Sequence, residues 1–203
     1  MRLEATAKEE QYKVWMTDDE LEELRRHAAE QRDDVIILLG GYVGLRSFEI
    51  PQVQPRHVKR VGDGRRYRLR VPERKDTTGS GGKPRNAYLP RDVEAVLNRY
   101  QNAEGIGPSE PFVDLTPRAV RQVVKRTADR AAAATGDEDY EYVSSHDLRR
   151  RFAQRLLVDE QVNPRVVMQV GGWDYFQAIE PYLNAPTPEI VNDAFAKAGL
   201  DSL

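Results

Sequence analysis

The run VIILLGGYVGL at residues 35–45 is the longest apolar stretch in a chain of which 32% is charged. Its eleven residues are too few to cross a bilayer, which takes about 20 in a helix. A segment apolar on every side must be covered on every side, so it predicts a helix at the centre of a water-excluded core. Asp33 or Asp34 is expected to cap it, and Gly41 and Gly44 would let a neighbouring backbone come close. Arg46 follows directly, with Glu49 three residues on. At 203 residues and 39% hydrophobic, the chain has material for one domain with a real core. It has no cysteine, which excludes a disulfide framework and a thiolate metal site. The charged N-terminus lacks the apolar core of a signal peptide. These features predict a cytoplasmic protein with no membrane partner.

The remaining pattern is mostly helical. Residues 1–16 read as a flexible polar lead-in, and Thr17 with Glu20 forms a capping box before a helix carrying Leu21 and Leu24. Residues 57–61, 66–72 and 85–89 read as three short strands, with a tight glycine turn at 62–64 and a Gly/Ser/Thr-rich loop at 74–84. Helices are expected from Arg91 through Tyr100 and from Pro117 through Ala128, a surface loop at 136–141, and a last amphipathic helix over 187–200. The fold class is therefore α+β, mainly helical, with a small three-stranded antiparallel sheet.

The chemistry concentrates between Ser144 and Pro186. Ser144 and Asp147 make a capping box, and Leu148, Phe152, Leu156 and Leu157 repeat at helical spacing, predicting a helix over 146–160. His146 and Arg149 then share one face at its electropositive N-terminal end, a pairing suited to a phosphate oxyanion. Asp174 and Gln177 predict a second, short helix that Pro181 ends, with Trp173 just before it and Tyr182 just after. An indole N–H, a phenol, an imidazole and a guanidinium could meet there, and none of them needs a metal.

Charge points the same way. The net charge is only −2, yet residues 54–91 hold 12 Lys/Arg against 3 Asp/Glu, while residues 1–34 hold 6 against 11. A basic block in a near-neutral chain is the footprint of a phosphate-backbone ligand. Lys59, Arg60, Arg66, Arg68, Arg85, Arg118, Arg121 and Lys125 are the candidates for contacting it.

The segments GLRSFEI (44–50), SHDLRRRFAQRLL (145–157) and VGGWDYFQAIEPYL (170–183) resemble the motifs of the tyrosine recombinase, or phage integrase, family. That family orders an early Arg, a hairpin Lys, His-x-x-Arg, a His or Trp, and a Tyr nine residues later. Taken singly, Arg46 could pair with Glu49, and Trp173 or Tyr182 could be core aromatics; the ordered set has no such explanation. The resemblance implies the recombinase catalytic-domain fold over 17–203, without the family's N-terminal core-binding domain. The glycine-rich hairpin is similar to those of archaeal and haloarchaeal-virus integrases.

The resemblance further implies site-specific cleavage and rejoining of double-stranded DNA, without a cofactor, through a 3′-phosphotyrosyl intermediate at Tyr182. Arg46, Arg149 and Trp173 would hold the phosphate, His146 would take the phenol proton, and Glu49 would orient an arginine or the histidine. Lys75 would protonate the leaving 5′ oxygen, with Lys83 as its rival. The expected assembly is a tetramer on paired sites, its last helix docked on a neighbouring protomer. Nicking and resealing of the type IB topoisomerase kind, and a silent DNA-binding regulator, are the alternatives. Arg150 departs from the family, where many members have His, and Pro181 beside the tyrosine is unusual.

Overall fold

The computed structural model describes residues 1–6, 12–62, 64–72, 84–183 and 195–199. It opens with a two-stranded antiparallel pair, β1 (Arg2–Ala5) and β2 (Tyr12–Trp15), which corrects the expected loose lead-in. The reason lies in β2, where Val14 and Trp15 are buried and Met16 follows them into the protein. Helix α1 (Asp18–Arg26) starts at the predicted capping box: Thr17 Oγ1 accepts from the Glu20 N–H, and Glu20 accepts from the Thr17 N–H.

Helix α2 (Gln31–Gly41) is the apolar run, and every residue from Val35 to Gly41 is buried. Glu30, not Asp33 or Asp34, is the residue that precedes its first turn. The three predicted strands form one sheet in the order β3 (Val58–Val61), β4 (Arg66–Val71), β5 (Arg85–Leu89), antiparallel throughout. Leu69, Val71, Ala87 and Leu89 turn inward from it. Two long helices complete the core, α3 (Arg91–Glu104) and α4 (Pro117–Thr135), the second capped by Thr116. The acidic 136–141 segment, expected as a surface loop, instead forms a 3₁₀ turn over Glu138–Tyr142 that buries Tyr140. Its hydroxyl donates to the Glu20 carbonyl at 3.1 Å.

Helix α5 (Ser145–Gln154) continues as a π turn over Arg155–Asp159, so the predicted 146–160 helix changes pitch in its last third. Helix α6 (Pro164–Gly171) was not expected, although Asn163 before a first-turn proline, with Gly172 at its end, is an ordinary start and stop signal. The predicted short helix after Trp173 is replaced by two 3₁₀ turns, Phe176–Ala178 and Glu180–Tyr182. Pro181 supplies no N–H and breaks the pattern there. Of the last helix expected over 187–200, only 195–199 lie among the described residues; 195–197 are helical and Phe195 is exposed. The architecture is thus α+β and mainly helical around α2, which packs on α1, α3, α4 and α5.

Two glycines let α5 lie against α2. At Gly40 an added Cβ would stand 2.8 Å from a Leu148 methyl. Gly44, just past α2, has φ +73° and faces the Phe152 ring, so it carries both a left-handed turn and a close approach. Leu148 is fully buried on this contact, and Gly40 has no side chain to fill a gap. Leu148→Ala should therefore lower stability by about 2–5 kcal/mol, seen as a lower denaturant midpoint with an unchanged slope.

Candidate functional site

The site begins with a buried carboxylate. Glu49 is 2% exposed, and its oxygens accept from Arg85 Nη1 at 2.6 Å and Nη2 at 2.9 Å. They also accept from Arg46 Nη1 at 3.1 Å and the Arg46 N–H at 2.8 Å. Burial pushes this carboxyl up, but the Arg85 hydrogen bonds and the charges of Arg85 and Arg46 outweigh it and hold its pKa below the ordinary value. Arg46 remains partly open, with Nη2 donating to the Gly172 carbonyl at 3.1 Å.

Arg85 is the main correction among the basic candidates. It is 7% exposed and bonded to Glu49 and the Val170 carbonyl, so it is turned into the protein and not towards a DNA backbone. Alternation could have revealed this, because Arg85 shares the inward face of β5 with Ala87 and Leu89. By contrast Lys59, Arg66 and Arg68 share the outer face of the sheet, where the Arg68 guanidinium lies 5.1 Å from the Tyr88 ring centroid. Arg60, Arg118 and Arg121 are exposed, whereas Lys125 is exposed but paired with Asp129 one turn on.

Helix α5 supplies the next groups. Its N-terminus is fixed by Asp147, which accepts from the Ser144 N–H at 2.9 Å and from the Val14 N–H of β2 at 3.0 Å, and is paired with Arg150. Arg149 is 2% exposed; it donates to the Gly44 carbonyl and, at 2.8 Å, to the Gly171 carbonyl. Its guanidinium lies 3.8 Å from the Trp173 ring centroid, and Trp173 stacks in turn on Phe152. Burial and the charge of Arg46 weaken its hold on its proton, though a guanidinium stays charged in a protein.

His146 stands at the rim. Arg46, Ser47, Phe48, Arg121, Ser145, His146 and Arg149 line a cleft of about 270 Å³. The residue is exposed, yet partial desolvation of its ring, then the charges of Arg150, Arg149 and Arg46, push its pKa down from 6.5 to about 4. The ring is therefore neutral near pH 7 and can accept a proton.

Tyr182 stands apart from that cleft. It is 8% exposed, in a satellite apolar cluster with Trp15, Ala153, Leu157, Val167, Met168 and Ile179. Its ring centroid is 6.0 Å from that of Trp173 and 6.4 Å from that of Trp15. The structure thus brings together Arg46, Glu49, His146, Arg149 and Trp173, and sets Tyr182 behind Trp173. Lys75 and Lys83 lie outside the described residues. Arg85, Arg150 and Trp15 were missed as neighbours of the site. Among the described residues no three His, Asp or Glu side chains are grouped to hold a metal, and no helix is long and apolar enough to cross a membrane.

Comparison with known proteins bears on the family and the fold. The phage integrase family profile matches residues 14–187, and the chain belongs to that family. Its fold is that of the tyrosine recombinase catalytic domain. XerA recombinase is 16% identical with a TM-score of 0.66, over 91% of this chain and 65% of its own. The Tn1549 transposon integrase, in complex with transposon right end DNA, is 16% identical with a TM-score of 0.72, over 96% of this chain and 69% of its own. XerH recombinase, in a post-cleavage complex with a palindromic difH substrate, is 17% identical with a TM-score of 0.64, over 90% of this chain and 52% of its own. The chain therefore spans about half to two thirds of the length of these structures. No match is found among curated protein sequences.

Two measurements test the electrostatics. In an NMR titration of the free protein, the His146 ring should change charge near pH 4 rather than 6.5. Because the unfolded ring binds its proton more readily, its contribution to stability is complete above pH 6.5 and is lost as pH falls towards 4. Glu49→Gln leaves Arg85 buried without a counter-charge and should cost about 3–5 kcal/mol, read by chemical denaturation.

Proposed function

We propose that the protein is a site-specific DNA recombinase that cleaves and rejoins double-stranded DNA through a 3′-phosphotyrosyl intermediate. The observation that carries this reading is the excess of positive charge at one cleft. Arg46, Arg121 and Arg149 line it, and the nearest carboxylate, Glu49, is shared between Arg46 and the buried Arg85. An anion with several oxygens is the ligand that such an arrangement lacks. A neutral imidazole beside the cleft and a phenol one indole away fit a transesterification of that anion.

In this reading the scissile phosphate enters the cleft between Arg46 and Arg149, and the Tyr182 oxygen attacks phosphorus. The phenol proton passes to His146, the bond from phosphorus to the 5′ oxygen breaks, and that oxygen takes a proton from a lysine of the β4–β5 connection, Lys75 before Lys83. The new P–O–tyrosine ester keeps the bond for rejoining, so the cycle consumes no cofactor. Negative charge grows on the non-bridging oxygens in the transition state, where preorganised guanidiniums act most strongly. Glu49 fixes the Arg46 fork through Nη1 and its own backbone N–H. Exposed Lys59, Arg60, Arg66, Arg118 and Arg121, with the half-buried Arg68, would hold the DNA backbone and set its register.

Similar structures support the partner. The Tn1549 integrase is seen with transposon DNA, and XerH with its substrate before and after cleavage. Assembly as a tetramer on paired sites, with the last helix docked on a neighbour, belongs to the same proposal. The test is a pool of nicked duplexes of randomised sequence, with covalent protein–DNA adducts resolved under denaturing conditions. Wild type should form an adduct that maps to Tyr182, and Tyr182→Phe should abolish it while retaining binding. Arg46→Ala should slow adduct formation by about 10²–10³-fold. Undiminished adduct from Tyr182→Phe would reject the nucleophile, and binding without any wild-type adduct would reject the reaction.

A further inference from the structure

Tyr182 packs outside the lining of the cleft, although it is near enough to Arg149 and Arg150 to act on both electrostatically. It does not line the 270 Å³ cavity that Arg46, His146 and Arg149 enclose, and it is nearly as buried as a core residue. Its ring packs on Trp173 and on Trp15, whose ring meets the phenol edge to face at 71°. Trp15 belongs to β2, far from Tyr182 in sequence, and is itself clamped. Arg2 lies 5.0 Å and Arg150 lies 5.5 Å from its ring centroid, and its Nε1 donates to Glu4 at 3.0 Å.

The clamp has one firm side and one loose side. Strand β2 is tied to α5, because Asp147 accepts from the Val14 N–H and Arg150 donates to the Val14 carbonyl. Strand β1 is an edge on which only Leu3 is even partly buried, and it lies outside the residues matched by the family, 14–187. Met1 and Leu3 rest on the main core and the Met1 ammonium pairs with Glu20, so this edge is held more lightly than β2 but is not free. Of the arginines over the indole, Arg2 is exposed and is the one that an arriving phosphate backbone would attract.

We propose that Trp15 is a positioning residue for Tyr182: the β1–β2 hairpin holds the phenol withdrawn, and Tyr182 reaches a phosphate in the Arg46–Arg149 cleft only after leaving Trp15. This rests on the phosphotyrosyl reading above. A contact made only in the withdrawn state lowers the rate of attack, since it stabilises the starting state and not the transition state. Removing the indole shifts the population towards a free phenol.

The test compares the full chain as wild type, Trp15→Ala, Trp15→Phe and Glu4→Ala in two assays. The first is nitration of the free protein by tetranitromethane, with each modified tyrosine mapped by mass spectrometry. The second is the single-turnover rate of adduct formation on the pool of nicked duplexes at saturating protein, with DNA affinity measured separately. In Trp15→Ala both Tyr182 nitration and adduct rate should rise about 3- to 10-fold, the population change that one edge-to-face aromatic pair supports. DNA affinity should not change, and Trp15→Phe, which restores a ring, should return both towards wild type. Tyr100 and Tyr140, buried in the main core, mark unfolding. If they react too in Trp15→Ala, Glu4→Ala decides, because it loosens the indole from an exposed position.

Equal nitration of Tyr182 in wild type and variants would overturn the proposal. So would slower cleavage in Trp15→Ala that Trp15→Phe restores, since Trp15 would then hold the phenol in its attacking position. Absence of adduct from all four proteins, with Tyr182 nitration still governed by Trp15, would instead sink the cleavage reading and the release step with it.

Discussion

Glu49 has almost no contact with water, and a buried carboxylate is tolerated only when its lone pairs are filled. Here two arginines from distant parts of the chain fill them, Arg46 from the loop after α2 and Arg85 from the start of β5. Arg85 also donates to the Val170 carbonyl, next to the Gly171 and Gly172 carbonyls that receive Arg149 and Arg46. One carboxylate therefore ties the central helix, the sheet and the end of α6 into a single frame. The cleft is the space left open on the Arg46 side of that frame.

The frame explains how so many guanidiniums remain close together. Each buried arginine has backbone carbonyls or a carboxylate to receive its N–H groups, so no donor has to be desolvated without a partner. Carbonyls satisfy hydrogen bonds without cancelling charge, and the local field stays positive. Partial desolvation of the ring, then that field, lowers the pKa of His146 although the residue is exposed. The imidazole is therefore in its neutral form across the neutral range, and the guanidiniums bonded to carbonyls keep their charge uncancelled.

Around Tyr182 the packing follows another rule. The segment after Trp173 is held by apolar contacts in a satellite cluster and by two short 3₁₀ turns, not by a regular helix. Short 3₁₀ turns have poorer hydrogen-bond geometry than an α-helix and are easily rearranged. The cation frame is thus rigid, while the phenol sits in a part of the molecule that can repack. On the proposed reading that division suits the reaction, since the phosphate would be held still while the tyrosine arrives and departs.

Local pattern was enough for much of this. The apolar run at 35–45 dictated a buried central helix, Thr17 with Glu20 and Ser144 with Asp147 marked two helix starts, and alternation gave the three strands. The motif order singled out Arg46, Glu49, His146, Arg149 and Trp173, which the fold does bring together. What sequence could not decide depends on partners far along the chain. Arg85 looked like one more surface cation in a basic block, because only its meeting with Glu49, 36 residues away, makes it buried. The first strands looked loose because their order comes from Val14 meeting Asp147, 133 residues on. Capping and periodicity act within a few residues and can be read there. The counter-ion of a buried charge and the neighbour of an aromatic ring are set by tertiary packing, and only the folded molecule supplies them.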